Sequence, residues 1–365
     1  ANNNPYGSLV VSIEEFMHSI SVIDLFCGIG GMTHGFIKEG FRVIAGIDAD
    51  PTCRYAYKAN NRGVQFIEQD LDTVSSKDVL CLYPSEDIKI LIGCAPCQLF
   101  SKYTKRYAKN NQIDEKWRLV RVFGRLINEV QPDIVSMENV PELEGYPVFE
   151  EFVKNLEREG YHIRHHIVSC SDYGVPQMRK RLVLLASKFG EIDLDYSTRK
   201  KAKNVIQTIG TLPAIRAGER DPKDPLHRAS GLSELNLRRI QNTTEGGTWR
   251  DWPKELILNC HRKESGQSYS SIYGRMRRDG LAPTITTEFH GIGSGRFGHP
   301  EQDRAISLRE GALLQTFPKS YKLVKKGEDF AIGTIAKHIG NAVPVLLGRA
   351  IAGSIKKHLQ DMQLS

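Results

Sequence analysis

Apolar residues recur along the first half of the chain in short runs separated by stretches of helical periodicity. Residues 21–26, 41–47, 64–67, 88–92 and 133–137 are β-rich or continuously apolar runs of strand length. Unbroken runs of this kind suit strands covered on both faces. Between the last two, Leu119, Val120, Phe123, Leu126, Ile127 and Val130 repeat at helical spacing. Two more strands are predicted at 162–168 and 182–186. The alternation of strand and helix predicts a doubly wound α/β fold with a parallel sheet that ends near residue 187. From about residue 188 to 304 the alternation is lost, Gly and Pro punctuate often, and Trp249, Trp252, Tyr269 and Tyr273 lie among Arg and Lys. A second, irregular domain is expected there. Helical patterns return at 307–317 and 335–359, and the apolar face of the latter needs a sheet to cover. The expected division is a leader at 1–20 that need not be ordered, a catalytic domain at 21–187, a recognition domain at 188–303 and a segment at 304–365 that returns to the first domain.

Composition narrows the class without naming a function. The 365 residues are 40% hydrophobic and 25% charged, which excludes a disordered, collagenous or coiled-coil chain. No apolar run approaches the roughly 18 residues of a membrane span, and no signal peptide is visible, so a cytoplasmic protein without a membrane partner is predicted. Seven cysteines, an odd number in a long chain, point to reduced thiols. The formal charge of +7 becomes informative once located. Residues 199–283 hold 17 Lys or Arg against 9 Asp or Glu, a net +8, and the rest of the chain is near neutral. Interleaved with aromatics and glycines, this excess suggests a surface for phosphates and bases, with a solvated basic face as the alternative.

The candidate chemistry begins at the strand ends. The first strand runs into the turn Gly28-Ile29-Gly30-Gly31, which lacks the full G-x-G-x-x-G spacing and is weak evidence alone. Asp48 ends the second strand 18 residues after Gly30, where a carboxylate can hold a ribose, and Asp70 ends the third. An adenosine-containing cofactor fits, and the sheet leaves open whether it is a nicotinamide dinucleotide or S-adenosylmethionine. Cys94-Ala95-Pro96-Cys97 resembles half a zinc site, but none of the other five cysteines supplies a second pair, so no metal is expected. Cys97 instead follows a buried strand at its ligand-binding end, after a proline that fixes the backbone, as a positioned nucleophile would. Cys27 and Cys81 read as packing residues.

Five motifs then occur in order: Asp24-Leu-Phe-Cys-Gly-Ile-Gly-Gly31, Pro96-Cys97-Gln98 with Phe100-Ser101, Glu138-Asn139-Val140, Gln177-Met-Arg179-Lys-Arg181 and Gly340-Asn341-Ala-Val343. In order and spacing the chain resembles the cytosine-5 DNA methyltransferases of the bacterial or phage modification type, from about residue 21 to 355. The resemblance implies a Rossmann-like S-adenosylmethionine-dependent methyltransferase domain with a small, irregular target-recognition domain. It implies that Cys97 adds to cytosine C6, that Arg179 and Arg181 favour the thiolate, and that Glu138, protonated or sharing a proton with N3, relieves the charge on the ring. For the cofactor it implies Phe26, Gly28, Ile29 and Gly30 at the glycine turn, Asp48 on the ribose, Asp70 and Leu71 at the adenine, and Pro96, Leu119, Asn341 and Val343 on the methionine side. S-adenosylhomocysteine would be the product. Ala49 departs from relatives that place a large aromatic after the ribose carboxylate, and Ala95 replaces a Pro or Phe.

The implied partner is double-stranded DNA, bound by a monomer, with a cognate restriction endonuclease expected in the same system. A cytosine in a duplex must be flipped out to reach Cys97. Residues 98–114, with Gln98, Ser101, Lys102, Lys105 and Arg106, are expected to form a lid that grips phosphates. Arg238, Arg239, Arg250, Arg275, Arg277, Arg278 and Arg296 are the candidates for contacts to DNA in the recognition region, where paired guanidinium and guanine edges discriminate sequences. A transfer-RNA methyltransferase, a nicotinamide oxidoreductase and a catalytically silent DNA-binding relative are the other readings. The length of the recognition region disfavours the first, Pro96-Cys97-Gln98 the second, and the presence of Cys97 and Glu138 the third.

Overall fold

The computed structural model describes residues 13–96, 111–195 and 200–363, without the side chains of 13–15 and 111–116. The first half of the chain runs α1 (Ile13–His18), β1 (Ile20–Leu25), α2 (Gly31–Lys38), β2 (Arg42–Asp48), α3 (Arg54–Asn60), β3 (Gln65–Glu68), α4 (Ser76–Leu82) and β4 (Ile88–Gly93). It continues through α5 (Asn111–Val130), β5 (Ile134–Asn139), α6 (Pro147–Arg158), β6 (His162–Ser169) and β7 (Lys180–Ser187). The strands form one seven-stranded sheet in the order β3-β2-β1-β4-β5-β7-β6. Strand direction differs from the sequence expectation at one place: β7 lies between β5 and β6 and is antiparallel to both. The cause is the link between β6 and β7. It holds a 3₁₀ turn at Cys170–Asp172 but no crossover helix, and a parallel return needs a crossover, usually helical.

Side chains alternate across the sheet and build a core on each face. Val22, Ile90, Ile92, Ile134, Val183 and Leu185 face Met32 and Phe36 of α2. Ile23, Leu25, Leu91, Val135, Met137 and Leu184 face the apolar stripe of α5 (Val120, Phe123, Leu126, Ile127) and Phe149 and Phe152 of α6. Covering both faces explains why the central strands β1, β4 and β5 are mostly apolar.

Beyond β7 the chain forms short helices and turns: α7 (Val205–Ile209), α8 (Glu234–Gln241) and α9 (Asn259–Arg262), with isolated bridges in place of a second sheet among the described residues. Its apolar residues divide. Ile240, Ile292 and Ala305 form one small cluster, and Trp249, Trp252 and Leu256 another. Val205, Ile209, Leu226, Met276 and Ile285 instead share a core with Ile29, Cys53 and Ala56 of the first half. Three helices close the chain: α10 (Leu308–Leu314), α11 (Ile332–Asn341) and α12 (Val345–Gln363). Leu347, Ile351, Ile355 and Leu359 of α12 join the core on the α2 side of the sheet. The single helix expected at 335–359 is broken after Asn341, where Ala342 is extended. Pro344 disfavours the helical conformation in the residue before it and suits the start of a new helix. No described helix is long and apolar enough to cross a membrane.

Candidate active site

The sheet order reverses direction at β1, which has β2 on one side and β4 on the other. The carboxyl ends of β1 and β4 therefore open a crevice, the usual ligand position in such sheets. A cavity of about 400 Å³ lies there. Of the sequence-predicted cofactor residues, Phe26, Gly28, Ile29, Asp48, Asp70, Leu71, Pro96, Leu119, Asn341 and Val343 all line it, and so do Glu138, Arg179 and Arg181. Gly30 does not. It stands behind the wall with φ +85°, and a Cβ there would meet Asn61 at 2.6 Å, so packing and conformation both require glycine.

The turn after β1 is shaped by unusual backbone. Phe26 has φ 59°, rare for a bulky side chain, and Gly28 follows with φ 50°. A Cβ on Gly28 would meet no protein atom within 4 Å, which leaves room for a ligand to approach its backbone. One residue past Gly30, a Cβ on Gly31 would sit 2.2 Å from the Val343 carbonyl, so glycine there lets the 340–343 segment close onto α2. Asp48 accepts hydrogen bonds from Gly28 N at 2.8 Å and Asp50 N at 2.9 Å. Burial raises its pKa against those bonds. Ala49 is exposed, so the wall beside Asp48 is open on that side.

Asp24, part of the first motif but not among the predicted site residues, also lines the cavity. It is 1% exposed. One carboxylate oxygen accepts from Thr33 Oγ1 at 2.6 Å, and the other is buried with no hydrogen-bond partner. Burial raises its pKa to about 7. Its signals in the sequence are its place at the head of the first motif and a carboxylate inside a buried strand.

On the opposite wall, Glu138 at the end of β5 is 6% exposed. Arg181 Nε lies 2.8 Å from Glu138 Oε1. The approach is off a hydrogen-bond axis, so the two form an ion pair while that oxygen makes no hydrogen bond. The neighbouring Cys94 thiol is pushed well up by burial and by Glu138 and stays neutral. Asn139 donates to the Ala95 carbonyl at 3.0 Å and ties the end of β5 to the Ala95-Pro96 turn. Arg179 is buried and donates to the carbonyls of Ile285 and Gly340 at 3.0 and 3.3 Å. Burial lowers its pKa to about 9, and its Nε has no partner. It thus joins three distant segments as well as facing the cavity. Gln177 does similar work, donating to Leu314 O and accepting from Ile285 N. Neither Asn139 nor Gln177 was predicted as a site residue, because their roles depend on which distant carbonyls they meet.

Asp50, Cys53 and His338 bring a carboxylate, a thiol and an imidazole within 4.8 Å of one another in the same wall. His338 Nε2 is already 2.9 Å from Thr52 Oγ1 and 3.4 Å from Asp50 Oδ2. Burial pushes the Cys53 thiol up. The trio acts as a clasp between the turn after β2 and α11.

The predicted DNA contacts fare unevenly. Cys97, Gln98, Ser101, Lys102, Lys105 and Arg106 lie outside the described residues. Arg275 is buried, and its guanidinium donates to the carbonyls of Thr243, His299, Gln302 and Ile240 and to Asp303. With its donors used inside the protein it is not available to read a base, which corrects the expectation for it. Arg239 donates to Leu256 O and lies over Trp252 and Tyr273. Arg250 bonds Gln267 O, and Arg296 bonds Gly246 O. Arg277 and Arg278 are exposed but paired with Asp279 and Glu301. Arg238 is exposed on α8 with no such partner among the described residues. Cys81, expected to pack, is exposed.

Comparison with known proteins bears on the whole chain. The family model for C-5 cytosine-specific DNA methylase matches residues 20–357. The Type II methylase M.HgiDII of Herpetosiphon aurantiacus is 54% identical over 347 residues, covering 94% of this chain and 96% of that protein. The Type II methyltransferase M1.HphI of Haemophilus parahaemolyticus is 31% identical, covering 93% and 87%. Among solved structures, a prophage-encoded E. coli protein described as a DNA modification methyltransferase shares the fold, with a TM-score of 0.70, 21% identity, and 94% and 99% coverage. With a match that spans every strand of the sheet and every wall of the cavity, the chain belongs to the C-5 cytosine-specific DNA methylase family and is a DNA (cytosine-5)-methyltransferase.

Proposed function

We propose that this protein transfers the methyl group of S-adenosylmethionine to C5 of a cytosine flipped out of a specific duplex sequence, through a covalent bond between Cys97 and C6. The observation that carries this reading is the gathering of Asp48, Phe26 and Gly28 on one wall of a single cavity and Glu138 with Arg181 on the other. The open backbone at Gly28 and the partnerless oxygen of Asp24 fit a ligand with a cationic group. When bound, S-adenosylmethionine supplies a methyl group activated by its sulfonium.

The residues of the chain would then divide the work. Asp48 holds the ribose hydroxyls, Leu71 and Asp70 hold the adenine, and Asp24 accepts the α-ammonium. Cys97 forms its bond to C6, which makes C5 nucleophilic enough to take the methyl group. Glu138 holds N3 of the ring, and Arg181 keeps Glu138 in place. Loss of the C5 proton to water then expels the Cys97 sulfur. Residues 21–187 and 304–365 are the catalytic part in this reading, and 188–303 the target-recognition part. The Type II relatives support a role beside a cognate endonuclease.

Tritium-labelled S-adenosylmethionine incubated with plasmid DNA should label the DNA, and Cys97→Ala should abolish the label; absence of label with the unaltered protein would overturn the reading. Mapping the labelled cytosines gives the recognition site.

Asp24 adds a pH dependence. Below pH 7 the free protein holds Asp24 protonated. Binding a cation there requires loss of that proton, so cofactor affinity should rise with pH up to about 7 and level above it. Isothermal titration between pH 6 and 8 should show this slope, and Asp24→Asn should flatten it and weaken binding at pH 8. An unchanged slope in the variant would remove Asp24 from the cofactor site.

A further inference from the structure

Asp50, Cys53 and His338 are the one group of three metal-ligating side chains that meet among the described residues, and all three line the cavity. They bring a carboxylate oxygen, a thiol sulfur and an imidazole nitrogen within 4.8 Å of one another. A tetrahedral zinc ion, with bonds of about 2.0 Å to nitrogen and oxygen and about 2.3 Å to sulfur, holds its ligand atoms about 3.3–3.6 Å apart. His338 Nε2 and Asp50 Oδ2 already stand at 3.4 Å. The Cys53 sulfur has to close in by only about 1 Å to complete three ligands.

The surroundings suit a cation. Thr52 donates to Asp50 Oδ1 through both its backbone N and its Oγ1, which orients the carboxylate and leaves Oδ2 turned to His338. Thr52 Oγ1 is also 2.9 Å from His338 Nε2, but it has one proton; given to Asp50, that proton leaves the Nε2 lone pair free to bind a metal. Burial lowers the pKa of His338 and favours the neutral imidazole that ligates. Lys337 lines the same wall, yet it is exposed and water screens its charge. The fourth position opens on the cavity, as in zinc sites with three protein ligands and one exchangeable position.

We propose that Asp50, Cys53 and His338 bind one divalent cation of the zinc class, which weakens cofactor binding from its place beside Asp48. Asp50 N donates to Asp48 at 2.9 Å, and Asp48 is within electrostatic reach of both Asp50 and His338. A doubly charged ion there draws on the carboxylate that the ribose needs. The effect on the cofactor rests on the reading of Asp48 given above, and the metal site does not.

Metal-free protein titrated with Co2+ should develop the thiolate-to-metal absorption band of a single site, and Zn2+ should displace it. Cys53→Ser and His338→Gln should each weaken Co2+ binding by more than about a hundredfold, and Asp50→Asn, which can still cap its turn, by about tenfold or more. Circular dichroism checks that each variant is folded. Cys97→Ala should keep the band. A band that survives Cys53→Ser and His338→Gln, or that is lost in Cys97→Ala, would overturn the site. Calorimetric titration with S-adenosylmethionine should give an affinity about tenfold lower when zinc saturates the unaltered protein, and no such difference in Cys53→Ser. Equal affinity with and without zinc in the unaltered protein would overturn the inhibitory role. Absence of cofactor binding to the metal-free protein would instead refute the cofactor reading, and the cobalt titration would still judge the site.

Discussion

Glu138→Gln should lower the single-turnover rate of methyl transfer by between about a hundred-fold and ten-thousand-fold, the range general acid-base groups contribute. The substitution keeps the shape of a side chain that is almost wholly buried at the end of β5. It removes the charge that Arg181 faces and the capacity to share a proton with the ring. Because the proposed mechanism sets Glu138 against the base rather than at the adenosine end of the cavity, cofactor affinity should change little. Rapid-quench measurement of label transfer to the mapped duplex, with cofactor titration beside it, checks both halves. A rate close to that of the unaltered protein would take Glu138 out of the chemistry. A parallel loss of cofactor affinity would mean that the ion pair with Arg181 holds the whole cavity together.

The second large effect is on stability, at the junction between the irregular region and α10. Arg304 is fully buried and makes a two-pronged contact with Glu310, at 2.7 Å on each side. Glu310 also accepts from Ser307 N, while its own backbone N–H bonds Ser307 Oγ, so the pair is built into the cap of the helix. Burial alone would raise the Glu310 pKa, but the hydrogen bonds and charge of Arg304 outweigh it and hold the carboxyl below its usual value. Arg304→Met strands that carboxylate in the interior and should cost about 3–5 kcal/mol. Urea denaturation at pH 7.5 should show the loss, and Arg304→Met with Glu310→Leu should recover much of it, because no buried charge is left unpaired. A double variant no more stable than the single one would show that the helix cap, and not the stranded charge, dominates. The sign with pH follows from the lowered pKa. The contribution of Glu310 is present above the ordinary glutamate range and is lost as pH falls through and below it.

The elements were legible because hydrophobic patterning is local. The central strands β1, β4 and β5 lie where the apolar runs predict them, since a strand buried on two faces needs apolar residues at successive positions, while the edge strands β3 and β6 are largely uncovered and do not owe their sequences to two-sided burial. The cavity wall was legible for the same reason: Asp48, Asp70, Pro96 and Glu138 sit at or just past strand ends, and a parallel α/β sheet directs those ends to one edge. The break at Pro344 was readable in principle, but the apolar face continues across it and masks the change of axis.

By itself, then, the sequence determined the sheet, the face on which ligands bind and the family to which the five motifs point. The three-dimensional structure alone decided how β7 pairs, what Arg179 and Gln177 hold together, and which arginines are free. Arg275 and Arg238 look alike in the chain, yet one is enclosed by four backbone carbonyls and a carboxylate while the other reaches solvent. Likewise Asp24 and Asp48 are both carboxylates beside one cavity, but only Asp24 has an oxygen buried without a partner. Strand patterning depends on neighbours two residues away. The state of a buried charge depends on partners that may be a hundred or more residues distant in the chain, and those meet only when the chain has folded.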